Sequence, residues 1–199
     1  MKPRARTAQE RREAAAARRD RRAEVTDPDV VMEAAAAFLA VRSRSVEETR
    51  RRLNQHGYPA ALVDEVIDRL VDLAYLDDAA FARAWIESRE RARPRGEIAL
   101  RRELQRKGIS DDTIGQVLAD RADSASASAS GEQAGDADRT AARRLLERRS
   151  SSLRRETDGR RRRQKAYALL ARNGFAPDVC HEVAATVVES DDGGATEPV

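Results

Sequence analysis

Large and sulfur-bearing side chains are scarce in this chain of 199 residues: it has one cysteine, one tryptophan and two methionines, and aromatics make up only 4%. A lone thiol, Cys180, excludes an internal disulfide framework and fits a reducing compartment. With 37% charged residues and a mean hydropathy of −0.72, the apolar residues can cover narrow helix stripes but cannot fill a sandwich or barrel. The longest nearly apolar run, residues 34–41, is far too short to span a bilayer, and the arginine- and glutamate-rich start has no hydrophobic signal core. From these absences a soluble cytoplasmic protein without a membrane partner is expected.

Catalytic signatures are missing as well. There is no phosphate-cradling G-x-x-x-x-G-K-[ST], no G-x-G-x-x-G after a strand and no nucleophile elbow. Neither His56 nor His181 has Cys, Asp or Glu partners at metal-ligand spacing; His56 suits a helix C-terminal turn and His181 a polar helix face. The carboxylate pair Asp77-Asp78 opens a helix, where capping explains it. No enzyme activity, cofactor or metal is expected.

What the chain has in quantity is alanine, arginine, leucine and glutamate, all strong helix formers, so the fold class is all-α. Its 38 basic and 35 acidic residues nearly cancel to +3, which makes distribution more informative than sum. Residues 139–165 hold twelve Arg/Lys against three acids. A surface of that sign attracts polyanions, nucleic acid first and an acidic protein face next, although a solvated charged face would read the same way.

The organisation follows from three glycines. Aligned on Gly57, Gly108 and Gly174, the chain repeats: Leu53, Leu104 and Leu170 stand four positions before, Tyr58, Ile109 and Phe175 one after, and Val66, Val117 and Val183 nine after. The pattern is a helix, a glycine able to take positive φ at the residue past its end, an apolar residue folded back over the last turn, and a second helix. Pro59, Ser110 and Pro177 suit the start of that second helix.

A further helix precedes each hairpin. Asp27-Pro28 opens one carrying Met32, Ala36 and Leu39, Ser45 with Glu48 reads as a capping box for the next, and Asp77 or Asp78 opens one carrying Phe81 and Trp85. Ala141, Leu145 and Leu146 serve the third copy, and Phe81 and Trp85 are assigned to packing rather than to base stacking. The expected architecture is an elongated array of three tandem three-helix, helix-turn-helix-like repeats over 27–76, 77–121 and 139–189. A charged, disordered arm (1–26), a flexible Ser/Ala-rich linker (122–138) and an acidic disordered tail (190–199) complete the chain.

Basic residues recur at equivalent positions ahead of the glycines. Arg50 and Arg51 match Arg101 and Arg102, Arg106 and Lys107 extend the second copy, and Arg95 lies in the loop before it. With Leu53 and Leu104 facing inward, several of these must face outward, so the seven are the candidate partner- or DNA-contacting residues along a basic track.

At this point the sequence resembles the RecX family of recombinase regulators. The resemblance is carried by "LDDAAFARAWIESR" (76–89) and "RPRGEIALRRELQRKGIS" (93–110), with "SVEETRRRLNQHGY" before and "ARNGFAPDVCHEV" after, over about residues 30–188. The arm, the linker and the insertion "RRETDGRRRRQK" (154–165) depart from a compact member. The resemblance implies a monomeric regulator, mainly an inhibitor, that lies in the groove of the RecA filament on single-stranded DNA. It implies restraint of filament growth, strand exchange and ATP hydrolysis, with at most weak direct contact to single- or double-stranded DNA. A sequence-tolerant DNA-binding protein is the alternative, and the acids Asp64, Glu65, Asp111, Asp112 and Asp178 on the post-glycine helices speak against it.

Overall fold

The computed structural model describes residues 7–127 and 137–192, which form eleven α-helices and no strand among the described residues. They run α1 (Ala8–Ala23), α2 (Pro28–Leu39), α3 (Val46–His56), α4 (Ala60–Asp72), α5 (Asp78–Ala92), α6 (Glu97–Arg106), α7 (Asp111–Ala127), α8 (Ala137–Glu147), α9 (Ser150–Arg154), α10 (Gly159–Arg172) and α11 (Pro177–Asp192). Helices α2–α4 and α5–α7 are two three-helix repeats, and α8, α10 and α11 form the third, with the single turn α9 inserted. Among the described residues no helix is long and apolar enough to cross a membrane.

The chain divides into two compact units. One holds the residues up to Phe81 together with Lys107–Ile109, and the other holds Ala82–Arg106 and the residues from Ser110 on. In the first unit, Val31 and Ala35 of α2, Leu53 of α3, Tyr58, and Val63, Val66, Ile67 and Leu70 of α4 form one core closed by Leu76. The buried face of α2 is thus turned by one residue from the Met32, Ala36, Leu39 stripe: Met32 and Leu39 are half-buried and Ala36 is exposed. The second unit buries Leu100 and Leu104 of α6, and a separate cluster joins Leu145 and Leu146 of α8, Leu170 of α10 and Val179, Cys180 and Val183 of α11.

All three repeat glycines take positive φ, +96° at Gly57, +79° at Gly108 and +80° at Gly174. One further residue does so without being glycine. Ala74, at φ 58°, ends α4 by letting the Tyr75 and Leu76 amides donate back to the Leu70 carbonyl, at 2.9 and 3.1 Å. Here the sequence shows an uninterrupted apolar stripe, and nothing in it signals the stop.

Three boundaries differ from the sequence reading. Residues 8–23 of the coreless arm are helical, because Thr7 and Glu10 make a reciprocal capping box (Glu10 N to Thr7 Oγ1 3.2 Å, Thr7 N to Glu10 Oε2 2.7 Å) and the helix end lies against Gly57 and Tyr58. Helix α7 continues to Ala127, over the first positions of the 122–138 linker, and α11 continues to Asp192. Residues 1–6 of the arm, 128–136 of the linker and 193–199 of the tail lie outside the described residues.

Within each unit the second helix of one repeat is held by the next repeat's segments in the same way. In the first unit Ser45 Oγ donates to the Lys107 carbonyl (2.6 Å), the Val46 amide donates to Asp78 Oδ1 (2.9 Å), and Glu47 packs on Gly108. In the second, the Gly96 amide donates to the Asn173 carbonyl (3.1 Å), the Glu97 amide donates to Asp138 Oδ2 (2.9 Å), and Ala99 packs on Gly174. Lys107 and Asn173 both precede the glycine, and Asp78 and Asp138 both sit in the first turn of a repeat's first helix. Orphan amides at a helix start thus find their acceptors on a neighbouring repeat.

Candidate partner-binding surface

The seven basic candidates separate by what their charges already do. Lys107 is committed inside the first unit: its Nζ meets Glu48 Oε1 at 2.7 Å, and its carbonyl accepts from Ser45. Burial by itself raises the Glu48 pKa. The hydrogen bonds and charges of Lys107 and Arg42 outweigh it and hold the carboxyl below the usual glutamate value. The expected capping box is therefore half made, because Ser45 accepts from the Glu48 amide at 3.1 Å while the Glu48 carboxylate turns to Lys107.

Arg95 is likewise structural. It donates to Asn173 Oδ1 at 2.8 Å and lies 3.7 Å from Glu103. Glu103 gathers the middle repeat, accepting from Trp85 Nε1 (2.9 Å) and Arg89 Nε (2.7 Å), and the Arg89 guanidinium stands 4.4 Å over the Trp85 ring. Burial raises the Glu103 pKa, but Arg89, Trp85 and the charge of Arg95 bring it below the ordinary value. Phe81 is buried, whereas Trp85 is half-buried under Arg89.

Arg50 pairs with Asp64 at 3.1 Å, Arg51 with Glu47 at 3.3 Å and Arg101 with Glu97 at 3.1 Å; these are surface pairs, each worth well under about 1 kcal/mol and easily exchanged for a partner's anion. Arg102 and Arg106 are exposed and make no ion pair among the described residues; Arg106 Nε only donates to the Arg102 carbonyl. Of the seven, these two have the freest charge.

The seven do not include the third repeat's own arginines, although the excess of basic residues over 139–165 points to them. Arg154, Arg155, Arg160 and Arg163 are exposed and make no ion pair among the described residues, while Arg161 stands 3.7 Å from Asp158. Arg162 is buried on the same face as Ala166 and Leu170, so the flanking arginines of α10 are turned outward. Other arginines of the second unit are internal. Arg121 is held by Asp138 and Glu90, both at 2.8 Å, and Arg148 donates to the carbonyls of Arg91 and Ala92 that end α5.

The remaining titratable groups fit structural roles. His56 ends α3 and its pKa is lowered by burial and by the charges of Arg52 and Arg22. His181 is exposed, with its ring 4.6 Å from that of Tyr167. Cys180 is buried, and burial with the nearby Asp178 and Asp138 charges pushes its thiol up. Asp77 accepts from the Ala80 amide at 2.8 Å, while Asp78 accepts across to α3.

Three family models match this arrangement: the first RecX three-helix domain over residues 32–70, the second over 77–118 and the third over 136–183. A protein of Mycobacterium ulcerans called regulatory protein RecX is 37% identical over 149 residues, covering 73% of this chain and 78% of that protein. Its counterpart from Geobacillus kaustophilus is 34% identical over 160 residues, 80% of this chain and 53% of that protein. The crystal structure of RecX from Lactobacillus salivarius superposes with a TM-score of 0.66 at 18% identity, covering 80% of this chain and 96% of that one, which is a likeness of fold.

Proposed function

The chain belongs to the RecX family of regulatory proteins, and from that premise we propose that it regulates the RecA recombinase, mainly by inhibition. In this reading the array binds the filament that RecA forms on single-stranded DNA, spans neighbouring protomers and blocks addition of further subunits. Strand exchange and filament ATP hydrolysis fall by mass action, without this chain touching the nucleotide. The observation that carries the reading is a set of exposed arginines without an ion pair among the described residues, Arg102 and Arg106 on the middle repeat and Arg154, Arg155, Arg160 and Arg163 on the third, beside other cations such as Arg95, Lys107 and Arg121 that are internally engaged. Such a surface suits a partner that offers acidic protein and phosphate together.

The test is ATP hydrolysis by the recombinase of the same species on single-stranded DNA. Substoichiometric amounts of this chain are expected to slow it, and an unchanged rate overturns the proposal. The arginine cluster over 154–163 also favours a second reading, direct and sequence-tolerant DNA binding. Equal affinity for bare and recombinase-coated single-stranded DNA would promote that reading over the first.

A further inference from the structure

The first and middle repeats carry the same kind of charged cluster beside their second helices, but one member differs in sign. In the middle repeat two arginines share a carboxylate: Glu103, five positions before Gly108, accepts from Arg89 Nε at 2.7 Å and lies 3.7 Å from Arg95, thirteen positions before that glycine. Arg89 stacks 4.4 Å over the Trp85 ring of the first helix. In the first repeat the thirteenth position before Gly57 is again arginine, Arg44, and the first helix again supplies a ring, Phe38, with the Arg44 guanidinium 4.3 Å from its centroid. The fifth position holds no acid. Arg52 stands there, and its guanidinium lies 5.6 Å from the centroid of the same Phe38 ring.

Two cations thus share one ring, and the carboxylate that joins their counterparts is missing. Arg44 Nε is buried without a hydrogen-bond partner, and neither Arg44 nor Arg52 makes an ion pair among the described residues. The acids of the first turn of α3 are engaged elsewhere. Glu47 meets Arg51 at 3.3 Å, and Glu48 Oε1 meets Lys107 at 2.7 Å and Arg42 at 3.3 Å, while Glu48 Oε2, though unbonded, pairs with neither Arg44 nor Arg52. A buried guanidinium donor without an acceptor is costly, so the cluster calls for an oxyanion from outside. The ring behind both guanidinium groups holds them ready for one.

We propose that Arg44 and Arg52, backed by Phe38, form a phosphate-binding site on the first repeat, in which an external phosphate group takes the part that the Glu103 carboxylate plays on the middle repeat. The donor set favours phosphate over a carboxylate. Glu103 is fixed by a neutral donor, Trp85 Nε1, as well as by arginine, whereas Phe38 donates nothing and leaves two guanidinium forks as the only donors. The two oxygens of a carboxylate lie in one plane and satisfy one fork, while the tetrahedral oxygens of a phosphate can accept a fork from each arginine. Neither residue belongs to the seven candidates or to the basic cluster of the third repeat, so the site adds a contact on the first unit.

The inference stands apart from the recombinase proposal, since its test uses no recombinase. The full chain is titrated at constant ionic strength with inorganic phosphate, with a short oligothymidylate and with a glutamate-rich peptide, and the NMR resonances of the Arg44 Nε–H and the Phe38 ring report the site. Phosphate and oligonucleotide are both expected to shift them. A strand that acts at lower phosphate concentration than the free ion gives the site to a nucleic-acid backbone, and equal action gives it to a free phosphate. Arg52→Glu, which places beside Arg44 the acid that the middle repeat has, is expected to abolish both responses while melting no lower than the parent. Arg52→Gln is expected to weaken them about fivefold, the size of one exposed charge contact. The proposal is overturned by no response at Arg44, by responses undiminished in the Arg52 variants, or by an equal response to the glutamate-rich peptide, which would give the site to an acidic protein face.

Discussion

Few single side chains hold as many connections as Asp138. Its carboxylate caps α6 through the Glu97 amide and accepts from Arg121 at 2.8 Å, with both side chains nearly out of solvent. Removing one member of such a pair leaves a buried charge, so Arg121→Ala is expected to lower stability by about 3–5 kcal/mol in urea unfolding. Asp138→Asn keeps an acceptor for the cap and should retain more stability than Asp138→Ala, which removes cap and pair together. Glu103 sets a second expectation, in pH. Its folded pKa lies below the unfolded value, so its contribution is present above the ordinary glutamate pKa and is lost as pH falls through the depressed folded value. Glu103→Gln should therefore flatten the acid limb of a stability-versus-pH curve, and an unchanged limb would show that the Arg89 and Trp85 contacts do not persist in solution. Ala74 points the other way. Because an L residue in the left-handed region costs roughly 1 kcal/mol, Ala74→Gly should raise the melting temperature.

Helix ends make up the joints, and glycine fixes how close they come. At Gly174 a β-carbon would meet the Ala99 amide at 2.5 Å and Cα at 2.9 Å, backbone atoms with no free rotor to move, in addition to the cost of φ +80°. Gly174→Ala should thus lower stability by more than the ~1–2 kcal/mol of the backbone conformation alone, whereas Gly115→Ala, with open space around it inside α7, should not. Equal melting of the two variants would refute the close approach. The sequence made the intrarepeat half of this legible: glycine, flanking leucine and following valine lie within fourteen residues and recur three times. It could not show the interrepeat half. The Val46 to Asp78 and Glu97 to Asp138 bonds join positions 32 and 41 apart, and a carboxylate at a helix start reads locally as the cap of its own helix. Docked α1 was illegible for another reason, since it carries no apolar stripe and rests on one arginine over a tyrosine and on a glycine's missing side chain.

Over the whole chain a net charge of +3 conceals a sorting of cations into two kinds: those turned inward, such as Arg95, Lys107 and Arg121, and those left to solvent on α6, α9 and α10. The identities of the exposed candidates were readable from the repeat register, but their division was not, because it depends on acids brought from elsewhere in the chain. The division separates two kinds of binding. Exposed charge reversals usually change stability by no more than about 0.5 kcal/mol, so Arg102→Glu/Arg106→Glu and Arg160→Glu/Arg163→Glu should both melt like the parent. If the α10 arginines meet phosphate, the second pair of substitutions should make binding to bare single-stranded DNA less salt-dependent, by roughly one unit of slope for each phosphate that an arginine no longer neutralises. If the α6 arginines meet the recombinase, the first pair should relieve the restraint on filament ATP hydrolysis while leaving that slope as it was. The two double variants are thus expected to fail in different assays, and failure of either one in both assays would show that a single surface serves both partners.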